Sequence, residues 1–106
     1  MSTELQVILS ELKARLSDLY GERLERLVLF GSQARGDAEP DSDIDVLVVL
    51  KGEVDPYAEI DRTLDITCAF SLERGVFVQL VFAPAQRLDH EMSPLFMNVR
   101  REGVEV

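Results

Sequence analysis

The chain has one cysteine, one histidine and no tryptophan among its 106 residues. A lone thiol, Cys68, cannot close an intramolecular disulfide, so a reducing compartment is expected and the cytoplasm is the default location. With His90 as the only imidazole, no Cys/His zinc centre can be assembled within the chain. Cys68 then reads as a small core residue. Bases are scarce: 11 Lys and Arg stand against 20 Asp and Glu, a net charge of −9. Such a balance excludes a general grip on nucleic acid, which needs cations to neutralise phosphates. It leaves a soluble protein with a basic partner, or one whose acids hold cations. No stretch approaches the roughly 20 apolar residues of a membrane span. The opening MSTELQVILSELKARL lacks the basic start and unbroken apolar block of a signal peptide, so no membrane association is expected.

Hydrophobic residues make up 46% of the chain, enough for a core, and the length predicts a single small domain over residues 1–106. Leu5, Ile8, Leu9, Leu12, Leu16 and Leu19 recur at helical spacing, which predicts a helix over 3–20 with Ser2 or Thr3 at its start and Gly21 after it. Residues 25–30 read as a strand. Residues 31–36 read as a turn or one helical turn, and 37–43 as a loop. The apolar run 44–50 reads as a strand buried on both faces. Asp55 and Pro56 open a second long helix over 56–74, closed by Gly75. Its apolar residues Tyr57, Ile60, Leu64, Cys68 and Leu72 form one stripe, expected to face the core. VFVQLVF, residues 76–82, reads as a third strand, and residues 85–106 as one or two short helices. The order predicts an α/β (α+β) fold, a small mixed sheet packed with helices.

The chemistry concentrates in LVLFGSQARGDAEPDSDIDVLVVL, residues 27–50. Asp43 and Asp45 lie two apart at the mouth of an apolar strand, so they project from the same face. Two carboxylates placed there are reconciled by a divalent cation, and hard oxygen ligands suit Mg²⁺ or Mn²⁺. The plain alternative is a pair of solvated loop-end acids. Gly31 lets the backbone turn sharply and approach a ligand. If Ser32 starts a helical turn, its N–H and hydroxyl offer an anion site. Arg35 would add a fixed charge for phosphate, the alternative being a salt bridge to Asp37 or Glu39. One loop thus offers phosphate donors and the next strand offers metal ligands, a pattern suited to a metal-bound nucleoside triphosphate.

Gly31-Ser32-Gln33-Ala34-Arg35-Gly36, followed after six residues by Asp43-Ile44-Asp45, resembles the signature of the polymerase-β nucleotidyltransferase superfamily. Ser42-Asp43-Ile44-Asp45-Val46-Leu47-Val48 matches its Ser-Asp-x-Asp half in full. The short chain resembles the minimal nucleotidyltransferases (MNT) of bacteria and archaea, often paired with a helical HEPN protein as a toxin–antitoxin system. The tail SPLFMNVRREGVEV is similar to the ends of such proteins. The resemblance implies a polymerase-β-like fold, with Asp43 and Asp45 as catalytic metal ligands for Mg²⁺. It implies nucleotide binding by Gly31, Ser32, Arg35 and Ser42, and ATP or another NTP as substrate. The implied reaction is attack on the α-phosphorus with release of pyrophosphate. In the MNT branch this is adenylylation of a tyrosine on the HEPN partner, which silences it.

The superfamily normally supplies a third carboxylate from the next strand. Here Gln79 is the only polar residue of that strand and is expected in the third position, where an amide brings no charge and cannot take a proton. Asp89 or Glu91 could supply an acid instead. Two readings stay open: a working nucleotidyltransferase, or a weak or inactive module that acts as antitoxin by binding nucleotide or partner. Leu95, Phe96 and Met97 in the last helix, if exposed, would suit a homo-oligomer, although core burial explains them as well.

Overall fold

A computed structural model of the chain describes residues 2–39, 42–88 and 90–106. Helix α1, Thr3–Tyr20, begins where the Ser2 hydroxyl accepts the Leu5 N–H at 3.1 Å. A 3₁₀ turn over Gly21–Arg23 leads into β1, Leu24–Phe30. The one-turn α2, Ser32–Arg35, follows, then β2, Ile44–Leu50. Helix α3, Pro56–Arg74, starts on Asp55, whose carboxylate accepts the N–H groups of Tyr57 and Ala58. It stops at Gly75, left-handed at φ 67°. Strand β3, Val78–Pro84, begins two residues later than the sequence predicts. Short α4, Ala85–Leu88, then α5, Pro94–Glu102, and the two-residue β4, Val104–Glu105, complete the order. The sequence does not signal β4, which two residues are too few to announce.

The four strands form one mixed sheet in the order β3-β2-β1-β4. β1 runs antiparallel to β2 and β4, and β2 runs parallel to β3. Alternation along β2 divides the core. Ile44, Val46, Val48 and Leu50 face α1 and α3, whose Leu5, Ile8, Leu9, Leu12, Leu16 and Phe70 they meet. Leu47 and Val49 face the other way, against Leu88, Phe96 and Val99. Val46 to Leu50 are fully buried, as a strand covered on both faces requires.

Three expectations about burial are corrected. In α1, Leu19 is 41% exposed and Tyr20 takes its place in the core. In α3 the predicted apolar stripe faces out: Tyr57, Ile60, Leu64 and Leu72 are all exposed, and so is Cys68, which is therefore not a core residue. The face turned to the sheet carries Glu59, Thr63 and Phe70. Partners make that possible. Glu59 accepts the Tyr20 hydroxyl at 2.8 Å and lies 3.3 Å from the Arg62 guanidinium and 3.9 Å from that of Arg23. Thr63 returns its hydroxyl to the Glu59 carbonyl at 2.9 Å. Burial, with the Glu59 carboxylate beside it, drives the Tyr20 phenol well above its ordinary pKa. These contacts offset part of the desolvation cost of burying a carboxylate. In α5, Phe96 lies in the core, Leu95 is half-buried, and only Met97 of that trio is exposed.

Candidate functional site

The site lies on the sheet face that carries α5, at the N-terminal end of β2. Asp43 is exposed just before the strand, and Asp45 is half-buried within it. Strand alternation puts both on the face of Leu47 and Val49. Across the sheet Asp45 stands opposite Phe30 of β1 and opposite Gln79 of β3. The Ile44 N–H donates to the Phe77 carbonyl at 2.9 Å, anchoring the residue between the two acids. Burial raises the Asp45 carboxyl above its ordinary pKa, and the negative charge of Asp43 adds to this while Arg35 opposes it.

Gly31 sets the position of that carboxylate. It sits at φ 76° and ψ −158°, a region open in practice to glycine alone. A Cβ built there would lie 2.5 Å from Asp45 Oδ2, so the carboxylate occupies the space a side chain would fill. From Gly31 the chain enters α2: the N–H groups of Ala34 and Arg35 both donate to the Gly31 carbonyl at 3.1 Å. The N–H groups of Ser32 and Gln33 open the helical turn, where no intrahelical carbonyl reaches them. Gly36, at φ 82°, ends it, and the N–H groups of Gly36 and Asp37 donate to the Ser32 carbonyl.

Arg35 is held from two sides, by Asp37 and by Glu102 of α5, each at 3.2 Å. The pairing with Asp37 follows from neighbouring sequence. Glu102, rather than Glu39, completes it. Nothing local in the sequence points to Glu102, because 67 positions separate it from Arg35. Ser42 closes its own loop: its hydroxyl accepts the Glu39 N–H at 2.9 Å, and its carbonyl faces the Gln33 amide at 3.4 Å. Beside it a shallow cleft is lined by Leu5, Ile8, Gln33, Ser42, Ile44 and Val76.

Gln79 is exposed on the strand next to Asp45. Of the two substitute acids, Glu91 is engaged with Arg87 in an ion pair, and Asp89 lies outside the described residues. Among the described residues no cluster of three or more acid, His or Cys side chains could hold a metal. A metal held here would have the two aspartates as its protein donors. Hard oxygen donors in a cradle kept clear by a glycine fit Mg²⁺, which commonly takes one or two carboxylates and completes its shell with water and substrate phosphates.

The sequence profile of the nucleotidyltransferase domain family matches residues 9–88, which include α2, both aspartates and Gln79. The chain belongs to that family. Two relatives from Methanocaldococcus jannaschii each bear the name "Putative protein adenylyltransferase". One is 35% identical over 75 residues, spanning 71% of this chain and 75% of its own length. The other is 34% identical over 89 residues, spanning 83% of each. Among solved structures, one described as a "toxin-antitoxin with AMP-PNP" superposes with a TM-score of 0.63 at 24% identity, over 90% of this chain and 69% of that one. A "toxin-antitoxin MntA-HpeT" variant superposes with a TM-score of 0.62 at 22% identity, over 92% and 70%. These neighbours share the mixed-sheet fold of this chain. Among the described residues no helix is long and apolar enough to cross a membrane.

Proposed function

We propose that this MNT-type chain transfers AMP from ATP to a tyrosine hydroxyl of a HEPN-type toxin partner, and so acts as its antitoxin. The observation that carries this reading is the packing of the Gly31 backbone onto Asp45, with Asp43 on the same strand face. Asp43 and Asp45 hold Mg²⁺, which supplies charge neutralisation on the triphosphate when bound. The α2 turn, with Gly31 and Ser32, receives phosphate oxygens, and Arg35 exchanges part of its pairing with Asp37 and Glu102 for the anion. Ser42 fixes the loop that brings Asp43 to the strand. The incoming hydroxyl oxygen forms a bond to the α-phosphorus as the bond to pyrophosphate breaks. Gln79 cannot take the hydroxyl proton at neutral pH, so it leaves to water. A cytoplasmic setting suits an ATP-using chain with a single exposed thiol.

A second reading has its own observation. Gln79 stands in register with Asp45, where a third acid would tighten metal binding. On that reading the chain binds nucleotide and partner and silences the toxin by contact, with slow chemistry or none.

The test is incubation with α-labelled ATP, Mg²⁺ and the protein encoded by the neighbouring gene, read by intact mass. A gain of one or more AMP groups on the partner, lost in Asp45→Asn, supports transfer. A stable complex without mass gain supports the binding reading, and Gln79→Asp should then raise Mg²⁺ affinity or restore transfer. Absence of Mg²⁺-dependent ATP binding would refute both.

A further inference from the structure

Glu102 stands between two arginines. Its Oε2 is 3.2 Å from Nη1 of Arg35, and its Oε1 is 3.4 Å from Nη2 of Arg101. Two guanidiniums repel each other unless an anion lies between them. Here one carboxylate draws a base from the last turn of α5 to the turn that follows Gly31. Glu11 and Glu59 are each shared by two arginines as well, but they belong to the helices of the opposite sheet face. Of the three pairs, only the one on Glu102 includes a residue of α2.

The helix itself does not favour a carboxylate at that position. Glu102 is the last residue of α5, at the negative end of the helix dipole, where Arg100 and Arg101 are the residues that suit the field. The two arginines hold it there, and exposed ion pairs of this kind are weak. A stronger anion can therefore take its place.

We infer that Arg35 and Arg101 together clamp the terminal phosphate of the bound nucleoside triphosphate, which displaces Glu102 from between them. This rests on the reading of the site as an ATP site given above. A terminal phosphate brings three acceptor oxygens and close to two negative charges, where Glu102 brings two oxygens and one charge. Each arginine keeps a second anchor during the exchange. Nε of Arg35 is 3.2 Å from the Asp37 carboxylate, and Nη2 of Arg101 donates to the Asn98 side chain at 2.8 Å. A guanidinium has five N–H donors, so both arginines have donors left for phosphate while those anchors hold. Arg35 also lies near enough to Asp45 to act on its charge. Asp45, Arg35 and Glu102 thus follow one another across the site face. The triphosphate lies with its α-phosphorus toward the aspartates and its terminal phosphate toward α5. Arg101 is then a phosphate-binding residue supplied from far along the chain, and the clamp distinguishes a triphosphate from a diphosphate.

The test is calorimetric titration of ATP, ADP and AMP, each with Mg²⁺, into the full chain and its variants. The Arg101 side chain is 69% exposed, so Arg101→Ala should leave the circular dichroism spectrum unchanged. It should weaken ATP binding about 3- to 10-fold, the size of a net hydrogen bond, and leave ADP binding nearly as it was. In a Glu102→Gln background the same substitution should still weaken ATP, because Arg101 meets the phosphate directly. A loss that disappears in that background makes Arg101 a partner of Glu102 only and overturns the inference. Equal weakening of ATP, ADP and AMP, a general loss of positive charge, overturns it too, as does an unchanged ATP affinity. In those three outcomes ATP still binds and the transfer reading stands. A wild-type chain that binds no ATP in the presence of Mg²⁺ overturns both.

Discussion

Replacing Asp45 by Asn should stabilise the metal-free fold. The two side chains are nearly isosteric, so the change removes a charge and little else. Asp43 and Asp45 alternate on one strand face, which puts them about 7 Å apart. At an effective dielectric of about 40, between bulk water and the near-surface value, their repulsion is about 1 kcal/mol, reduced further by solvent screening. The pH dependence has a defined sign. Burial and Asp43 raise the folded-state pKa of Asp45, so ionising it opposes folding. The penalty is absent below the ordinary carboxylate range and complete above the raised folded-state value. Urea denaturation of both proteins in chelator and low salt should thus give Asn an advantage of about 1 kcal/mol at pH 7, disappearing as pH falls through the carboxylate range. Adding Mg²⁺ with ATP should reverse the order, because only Asp45 gains from the ligand. If Asn costs stability at pH 7, and by the same amount at pH 3, the carboxylate is a structural hydrogen-bonding group and the reasoning fails.

Gly31→Ala should cost about 1–3 kcal/mol of backbone strain and abolish transfer, because the methyl group displaces Asp45. In the double variant with Asp45→Ala the losses should fall short of additive, measured by urea midpoints in a mutant cycle. Tyr20→Phe removes the hydroxyl that Glu59 accepts at 2.8 Å and should cost about 1–3 kcal/mol, seen as a lowered Tm. Glu102→Gln removes one of two carboxylates competing for Arg35. An exposed ion pair of about 0.2–1 kcal/mol corresponds to ATP binding about 1.5- to 5-fold tighter, measured by calorimetry.

The elements that carry the site were legible because local signals carry them. Gly31 and Gly36 bracket α2, and apolar continuity marks β2. Asp43 and Asp45 declare a shared face through period two alone. What misled was α3. Apolar spacing placed Tyr57, Ile60, Leu64, Cys68 and Leu72 on the core side, yet the core side carries Glu59 and Thr63. The deciding fact is long-range: Tyr20 and Arg23, in distant sequence, satisfy Glu59. Hydropathy assigns a buried carboxylate to solvent unless its partners are known. The same limit hid Glu102 from Arg35, and hid the contact that places the Gly31 backbone against Asp45. Each joins residues whose separation along the chain carries no pattern.

The two halves of the site rest on unequal foundations. Asp45 stands on β2 and Asp43 just before it, and the Val46–Leu50 run of that strand, between β1 and β3, is fully sealed from solvent. The half proposed to receive phosphate is a single turn, whose guanidinium is tethered by exposed ion pairs. Amide hydrogen exchange would therefore separate them by orders of magnitude, with β2 opening only in global unfolding and α2 in local fluctuations. A nucleotide would meet its metal ligands already in place and draw the turn closed around its phosphates. Much of its binding energy would then go into quenching motion in four residues, so affinity can be tuned at α2 without touching the strand that does the holding.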